Sequence, residues 1–143
     1  MIILDTDVLS DLMRQQPERR IIAWLDKQPR TSIWTTSINV LEVRFGWQIL
    51  EPGKRRSFLQ QASETIIEKI GNRIVSFDSA AAQQAADLGA GRRRKFRPGD
   101  LRDTMIAGIV LANHATLATR NTSHFEDISA EVINPWTSLS TRP

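Results

Sequence analysis

The chain has 143 residues, of which 41% are hydrophobic and 24% are charged, and its formal net charge is +3. These values predict one folded domain, and the mild positive charge permits a nucleic-acid partner without requiring one. The absence of cysteine excludes disulfide bonds and thiolate metal sites, so any metal ion must have oxygen or imidazole ligands. No apolar run is long enough for a signal peptide or a membrane span, which predicts a cytoplasmic protein without membrane association.

The first third of the chain predicts two strands that are each followed by helices. Residues 2–4 are apolar and predict a buried strand that ends at Asp5. Apolar residues at helical spacing predict helices over 8–14 and 18–27, and β-prone residues predict a second strand over 31–36. Asp5 is therefore either a functional group at the end of a strand or a helix cap.

The next segment predicts two helices separated by a break at residues 52–53. Ser37 is the expected cap of a helix over 38–49, and Glu42 borders its apolar stripe. The stripe consists of Ile38, Leu41 and Phe45. A second helix is predicted over 54–70.

A third strand is predicted over 73–77, and Asp78 or Ser79 caps an alanine-rich helix that extends at least to Leu88. The segment 91–99 that follows is of low complexity and predicts a loop. It is either a solvated loop or an RNA-contacting one, since cations hold phosphates and an aromatic ring stacks on bases. The candidate RNA contacts are Arg92, Arg93, Arg94 and Lys95.

The last third predicts a helix over 100–113, with Asp100 and Asp103 in its first turn, and strands over 115–120 and 132–136. Residues 137–143 are predicted to form a polar, frayed tail after a domain over 1–136. Ala107 and Gly108 allow the helix to pack closely. Strands that alternate with helices favour an α/β domain with a mainly parallel sheet and helices on both faces.

Several acidic and polar residues follow predicted strands or, for Asp103, begin the helix before the fourth strand, and they can converge at one sheet edge. They are Asp5, Glu42, Asp103, Asn121 and His124. Carboxylates brought together repel unless a cation joins them, and a hard divalent ion such as Mg²⁺ or Mn²⁺ suits these ligands. Such an ion activates water and holds the scissile phosphate of a nucleic acid.

Six motifs, in order over nearly the whole chain, resemble those of PIN-domain ribonucleases, specifically the VapC/FitB-type toxins of bacterial toxin–antitoxin pairs. They occupy residues 2–10, 36–46, 52–56, 103–108, 117–121 and 132–136. The resemblance implies an α/β/α domain that hydrolyses RNA with Mg²⁺ or Mn²⁺. It assigns the three core acids to Asp5, Glu42 and Asp103, and pocket-lining hydroxyls to Thr6 and Thr119.

Three positions depart from the family pattern. Asn121 occupies the position of a frequent fourth acid, so it would be a weaker metal ligand than the acid. The resemblance then implies one tightly bound metal ion and a second, more weakly bound one. His124 replaces an acid and is a metal ligand, an RNA contact or a plain loop residue. Asp7 replaces the usual asparagine and adds negative charge at the pocket mouth.

The family's partner is a small VapB/FitA-type antitoxin whose C-terminal segment covers the acidic groove and whose N-terminal part binds DNA. The resemblance therefore implies a toxin–antitoxin hetero-oligomer, contact with DNA only through the antitoxin, and a toxin homodimer. Apolar residues of the helices over 38–70, including Trp47, are either interface or core residues.

Two alternatives compete with a ribonuclease. Asp5 and Asp7 resemble the nucleophile motif of haloacid-dehalogenase-like phosphatases, and Asp100 and Asp103 resemble their late metal motif, but this leaves Glu42 without a role. The second alternative is a PIN domain that binds RNA or antitoxin without cleavage, because Asn121 and His124 replace acids.

Overall fold

The structure is a computed structural model that describes residues 1–137 and the backbone of residues 139–141. It contains a mainly parallel sheet, as predicted. The strands are β1 Ile2–Leu4, β2 Ile33–Thr36, β3 Ile74–Val75, β4 Thr116–Ala118, β5 Val132–Asn134 and β6 Leu139–Thr141. Their order is β3-β2-β1-β4-β5-β6, and all neighbouring strands are parallel except β5 and β6.

Helices cover both faces of this sheet. They are α1 Thr6–Leu12, α2 Arg19–Asp26, α3 Ser37–Gln48, α4 Lys54–Ile70, α5 Ser79–Arg94 and α6 Leu101–Ala112. Successive strand residues point to opposite faces, so Ile3 packs against Ile106 of α6 whereas Leu4 packs with Ile21 of α2. This confirms the predicted α/β/α arrangement. None of the described helices is long and apolar enough to span a membrane.

The order of the strands creates a crevice between β1 and β4. The chain adds β2 and β3 on one side of β1 and then returns to place β4 on its other side. Ligands bind at such switch points, beyond the carboxyl ends of the strands. Leu4 lies opposite Ala118, so the residues that follow them, Asp5 and Thr119, are neighbours at this crevice.

The predicted loop over 91–99 is wrong for its first four residues, because α5 continues to Arg94. Arg92 is buried and anchors this last turn. The cations also lie at the carboxyl end of the helix, where the helix dipole favours them. Only residues after Arg94 leave the helix.

The apolar stripe predicted for α3 is also wrong in part. Ile38 is buried, but Leu41 and Phe45 are exposed. The buried positions are instead Asn39, Val43 and Trp47, spaced by four residues, because the helix turns this face towards α1 and α4. Trp47 is thus a core residue rather than an exposed one.

Smaller differences concern the ends of elements. Residues 30–32 form a 3-10 helix before β2, and Thr36 rather than Ser37 caps α3 by accepting the Asn39 N–H. The Ser37 hydroxyl accepts a bond from the Phe77 N–H instead.

The tail predicted to be frayed is ordered in part. The backbone of residues 139–141 pairs antiparallel with β5 and covers the edge of the sheet. Residues 138, 142 and 143 lie outside the described residues.

Candidate active site

Asp5 lies at the centre of a hydrogen-bond network at the crevice, and only 6% of its surface is exposed. Its Oδ1 accepts bonds from the Thr6 N–H (2.8 Å) and from Asn39 Nδ2 (3.0 Å). Its Oδ2 accepts a bond from the Thr119 hydroxyl at 2.7 Å. Residues that follow β1, β2 and β4 therefore hold one carboxylate in a fixed orientation.

This carboxyl group ionises at a higher pH than an ordinary aspartate. Burial, followed by the charge of Asp7 and with a smaller contribution from Asp103, raises the pKa of Asp5 to about 6, against the lowering effect of its bonds from Thr119 and Thr6. Burial also raises the pKa of Asp7. Among the described residues, no side-chain cation contributes to the pKa of Asp5, so the crevice gathers negative charge that a bound cation would relieve.

Asp7 lies beside Asp5. Its Oδ2 accepts the Arg120 N–H at 2.9 Å and lies 3.2 Å from the Thr119 hydroxyl oxygen. Its Oδ1 is buried without a hydrogen-bond partner among the described residues. The Asn121 N–H donates to the Thr119 hydroxyl at 3.1 Å, and the residue itself is exposed.

Glu42 is connected to Asp5 through two residues. The Thr6 hydroxyl donates to Glu42 Oε1 at 2.7 Å and accepts a bond from Asn39 Nδ2 at 3.0 Å. Arg102 Nε lies 3.7 Å from Glu42 Oε2. Asn39 and Glu42 lie on one face of α3 because they are three residues apart.

Asp103 reaches the same edge from the first turn of α6. Asp100 caps this helix by accepting the backbone N–H groups of Arg102 and Asp103. The charge of Asp103 raises the pKa of Asp5, and the preceding residue Arg102 pairs with Glu42. The His124 Nδ1 lies 3.0 Å from Asp103 Oδ2, so His124 contacts a candidate catalytic acid.

The structure therefore joins Asp5, Thr6, Asp7, Glu42 and Thr119 in one network, with Asp103 and His124 beside it. The prediction missed Asn39, which is fully buried and bridges Asp5 and Thr6. The available signal was a polar residue one helical turn before Glu42. Asn39 is held in turn by a bond to its Oδ1 from the Thr36 hydroxyl (2.6 Å).

Arg92 does not occupy the surface position predicted for an RNA contact. It is 6% exposed, and its Nε and Nη2 both donate to Asp127 at 2.8 Å. It also donates to the His124 carbonyl at 2.9 Å and to the Thr104 hydroxyl at 3.1 Å. The guanidinium thus ties α5 to the segments that carry Asp103 and His124, whereas Arg93, Arg94 and Lys95 are exposed.

Arg92→Met is expected to lower the free energy of unfolding by about 2 kcal/mol, because Asp127, the Thr104 hydroxyl and the His124 carbonyl lose their donor. Asp127 is 42% exposed, so water compensates part of this loss. Urea unfolding measures the change. Arg93→Met, one residue along the same helix and exposed, is the matched control and should unfold like the wild type. Equal midpoints for both variants would contradict the anchoring role.

The donor set fits a hard divalent ion, although the acids need to move to share it. Among residues 1–137, no group of three or more histidine and acidic side chains is arranged to hold a metal ion. Glu42 and Asp103 are each held by a neighbouring protein group instead. Both side chains are partly exposed at the crevice, so they have room to rotate towards Asp5. The resulting set of oxygen ligands would suit Mg²⁺ or Mn²⁺.

A parallel α/β/α domain with acids gathered at the carboxyl edge of its sheet is the class that this fold and site define. The model of the PIN domain family matches residues 2–131. The chain therefore belongs to the PIN domain family, which confirms the resemblance and excludes the phosphatase alternative.

Similar proteins identify the type of PIN domain. The chain is 36% identical over 137 residues to the VapC ribonuclease Y4jK of Sinorhizobium fredii, covering 95% of this chain and 98% of that protein. It is 33% identical to the toxin FitB of Neisseria gonorrhoeae, covering 95% and 99%. A solved structure of FitAB bound to an IR36 DNA fragment matches with a TM-score of 0.85 and 32% identity, covering 95% and 96%. These matches place the chain among PIN domains of the VapC/FitB type.

Proposed function

We propose that the protein is a metal-dependent endoribonuclease and the toxin of a type II toxin–antitoxin pair. The observation that carries this proposal is the network that joins Asp5 to Glu42, with Asp103 beside it, at the crevice between β1 and β4. These three residues are the proposed catalytic acids and metal ligands, and Asn121 is a proposed further ligand. The ribonuclease name of the S. fredii relative supports RNA as the substrate.

The residues around the acids have distinct roles in this proposal. Asn39 and Thr119 fix the orientation of Asp5, while Thr6 holds Glu42. When bound, Mg²⁺ or Mn²⁺ activates water and stabilises charge on the scissile phosphate. Arg102, 48% exposed beside Glu42, is free to exchange this weak ion pair for a phosphate.

RNA cleavage by the purified toxin tests the proposal. The wild type, freed of antitoxin, is expected to cleave a structured RNA with Mn²⁺ and to lose this activity in EDTA. Asp5→Asn and Asp103→Asn should each lower the rate by at least about 100-fold, because each removes a charge that holds the ion. Equal residual cleavage by all three proteins would indicate a contaminating nuclease and contradict the proposal.

A non-catalytic PIN domain is the second candidate, and the contact between His124 and Asp103 favours it. His124 Nδ1 lies within hydrogen-bond distance of Asp103 Oδ2, so it competes with a metal ion for this oxygen. Retained RNA binding without Mn²⁺-dependent cleavage by the wild type would support this alternative. His124→Asp would then be expected to restore cleavage, because it returns an acid to this side of the site.

The proposed partner is a cognate VapB/FitA-type antitoxin, in a hetero-oligomer that contacts DNA through the antitoxin. The DNA-bound FitAB structure supports this assembly. Exposed apolar residues on α3 and α4, or directly after α3, offer a surface for a protein partner or for a toxin homodimer. They are Leu41, Phe45, Ile49 and Phe58.

A further inference from the structure

A cavity of about 520 Å³ opens beside the acidic site. It lies between α5, the start of α6 and the 3-10 helix Thr122–Phe125, and its wall includes Asp103 and His124. Lys95 and Arg97 line it from the segment after α5. Its volume falls within the range of about 300–1,000 Å³ that is typical of small-molecule sites. Because Asp87, Asp100, Glu126 and Asp127 also line it, a phosphate is favoured at the two exposed cations rather than inside the cavity.

Phe96 lies between these two cationic residues and is exposed over 91% of its surface. Its φ of 56° is in the left-handed region, just after the end of α5. The Arg97 N–H bonds back to the Arg92 carbonyl at 2.8 Å and closes this turn. Glycine or asparagine is the usual residue at such a position, because a larger side chain is strained there. The phenylalanine thus has a conformational cost and gains almost no packing within the chain.

The charge around Phe96 favours RNA over a protein partner. Four cations lie within three residues of Phe96. They are Arg93, Arg94, Lys95 and Arg97, all exposed. A surface segment that combines cations with an exposed aromatic ring suits single-strand binding, in which phosphates contact the cations and bases stack on the ring.

We propose that residues 95–97, directly after α5, form a subsite for single-stranded RNA in which Phe96 stacks on a base. Lys95 and Arg97 contact the connecting phosphates. Stacking tolerates any base, so this subsite contributes affinity and the position of the strand relative to Asp103 rather than sequence preference. The inference rests on the proposed function, since it assigns part of the same RNA substrate.

Phe96→Gly tests the subsite with two readouts that move in opposite directions. Binding of a fluorescein-labelled ten-nucleotide single-stranded RNA to the metal-free protein in EDTA is measured by fluorescence anisotropy, where no cleavage interferes. The variant should bind about tenfold more weakly through loss of one stacking contact. Its Tm should rise by a few degrees, because glycine adopts the left-handed backbone without strain.

Two further variants complete the comparison. Phe96→Trp should retain wild-type RNA affinity, because indole also stacks. Ile22→Ala removes an exposed apolar side chain on α2, outside the cavity wall, and should leave RNA affinity unchanged. Unchanged RNA affinity in Phe96→Gly would overturn the subsite, as would a loss of antitoxin binding in that variant with RNA affinity intact.

The subsite and the proposed function fail in different ways. If the wild type binds RNA through Phe96 but does not cleave it with Mn²⁺, the subsite stands and the nuclease proposal fails. If the wild type cleaves RNA while Phe96→Gly keeps both its affinity and its cleavage positions, the subsite fails and the nuclease proposal stands.

Discussion

Asp5→Asn is expected to change the free energy of unfolding of the metal-free protein more favourably at pH 7.5 than at pH 4. The folded-state pKa of Asp5 is about 6, above its ordinary value of 3.8. The stability that protonated Asp5 contributes is therefore fully present below pH 3.8 and is lost as the pH rises through about 6. Asparagine avoids this loss, which corresponds to about 2 kcal/mol between the two pH values.

Urea unfolding in EDTA at both pH values measures this difference. Mn²⁺ should reverse the order at pH 7.5, because the ion stabilises the ionised wild type and binds the variant weakly. Asp26→Asn, an exposed aspartate on α2, is the matched control and should respond equally at both pH values. A destabilisation by Asp5→Asn of the same size at pH 4 and pH 7.5 would show that the buried carboxylate carries no such penalty.

Gly108→Ala is expected to destabilise the protein by about 3 kcal/mol through overpacking. A Cβ at this position would lie 2.5 Å from the Ala81 carbonyl oxygen and 2.8 Å from the Ala85 Cβ. Because the first obstacle is backbone, α5 and α6 must separate to accommodate the methyl group. The Tm should fall by about 10 °C in a calorimetric scan.

Gly46→Ala is the matched control for this prediction. Gly46 is also inside a helix, α3, but a Cβ there would meet nothing within 4 Å. Alanine should raise the free energy of unfolding by about 0.5–1 kcal/mol, since it loses less backbone entropy on folding than glycine. If both variants shifted stability in the same direction, close contact between α5 and α6 would not be what requires glycine at position 108.

The alternation of strands and helices was predictable because it depends on local patterns. The apolar run before Asp5 and the helical spacing after it are short-range signals, and the mainly parallel sheet follows from them. The small pair Ala107 and Gly108 likewise indicated close helix packing, which the contact with Ala81 confirms. Asp5, Glu42 and Asp103 were predicted as site acids from their residue type, their places near strand ends and the family motifs.

The burial of individual side chains was not predictable from these patterns. Leu41 and Phe45 have helical spacing with Ile38, yet both are exposed. The tertiary packing of α3 buries Asn39 and Trp47 instead. Periodicity defines an apolar stripe but not which part of it another element covers.

The sequence by itself determined the fold class and the family, and it predicted the acidic residues of the site. Only the tertiary structure showed that Asn39 and Thr119 hold Asp5, that Arg92 is a buried anchor, and that His124 contacts Asp103. The physical reason is that hydrogen bonds and ion pairs between residues distant in the chain depend on side-chain distances of about 3 Å, which local sequence patterns do not encode.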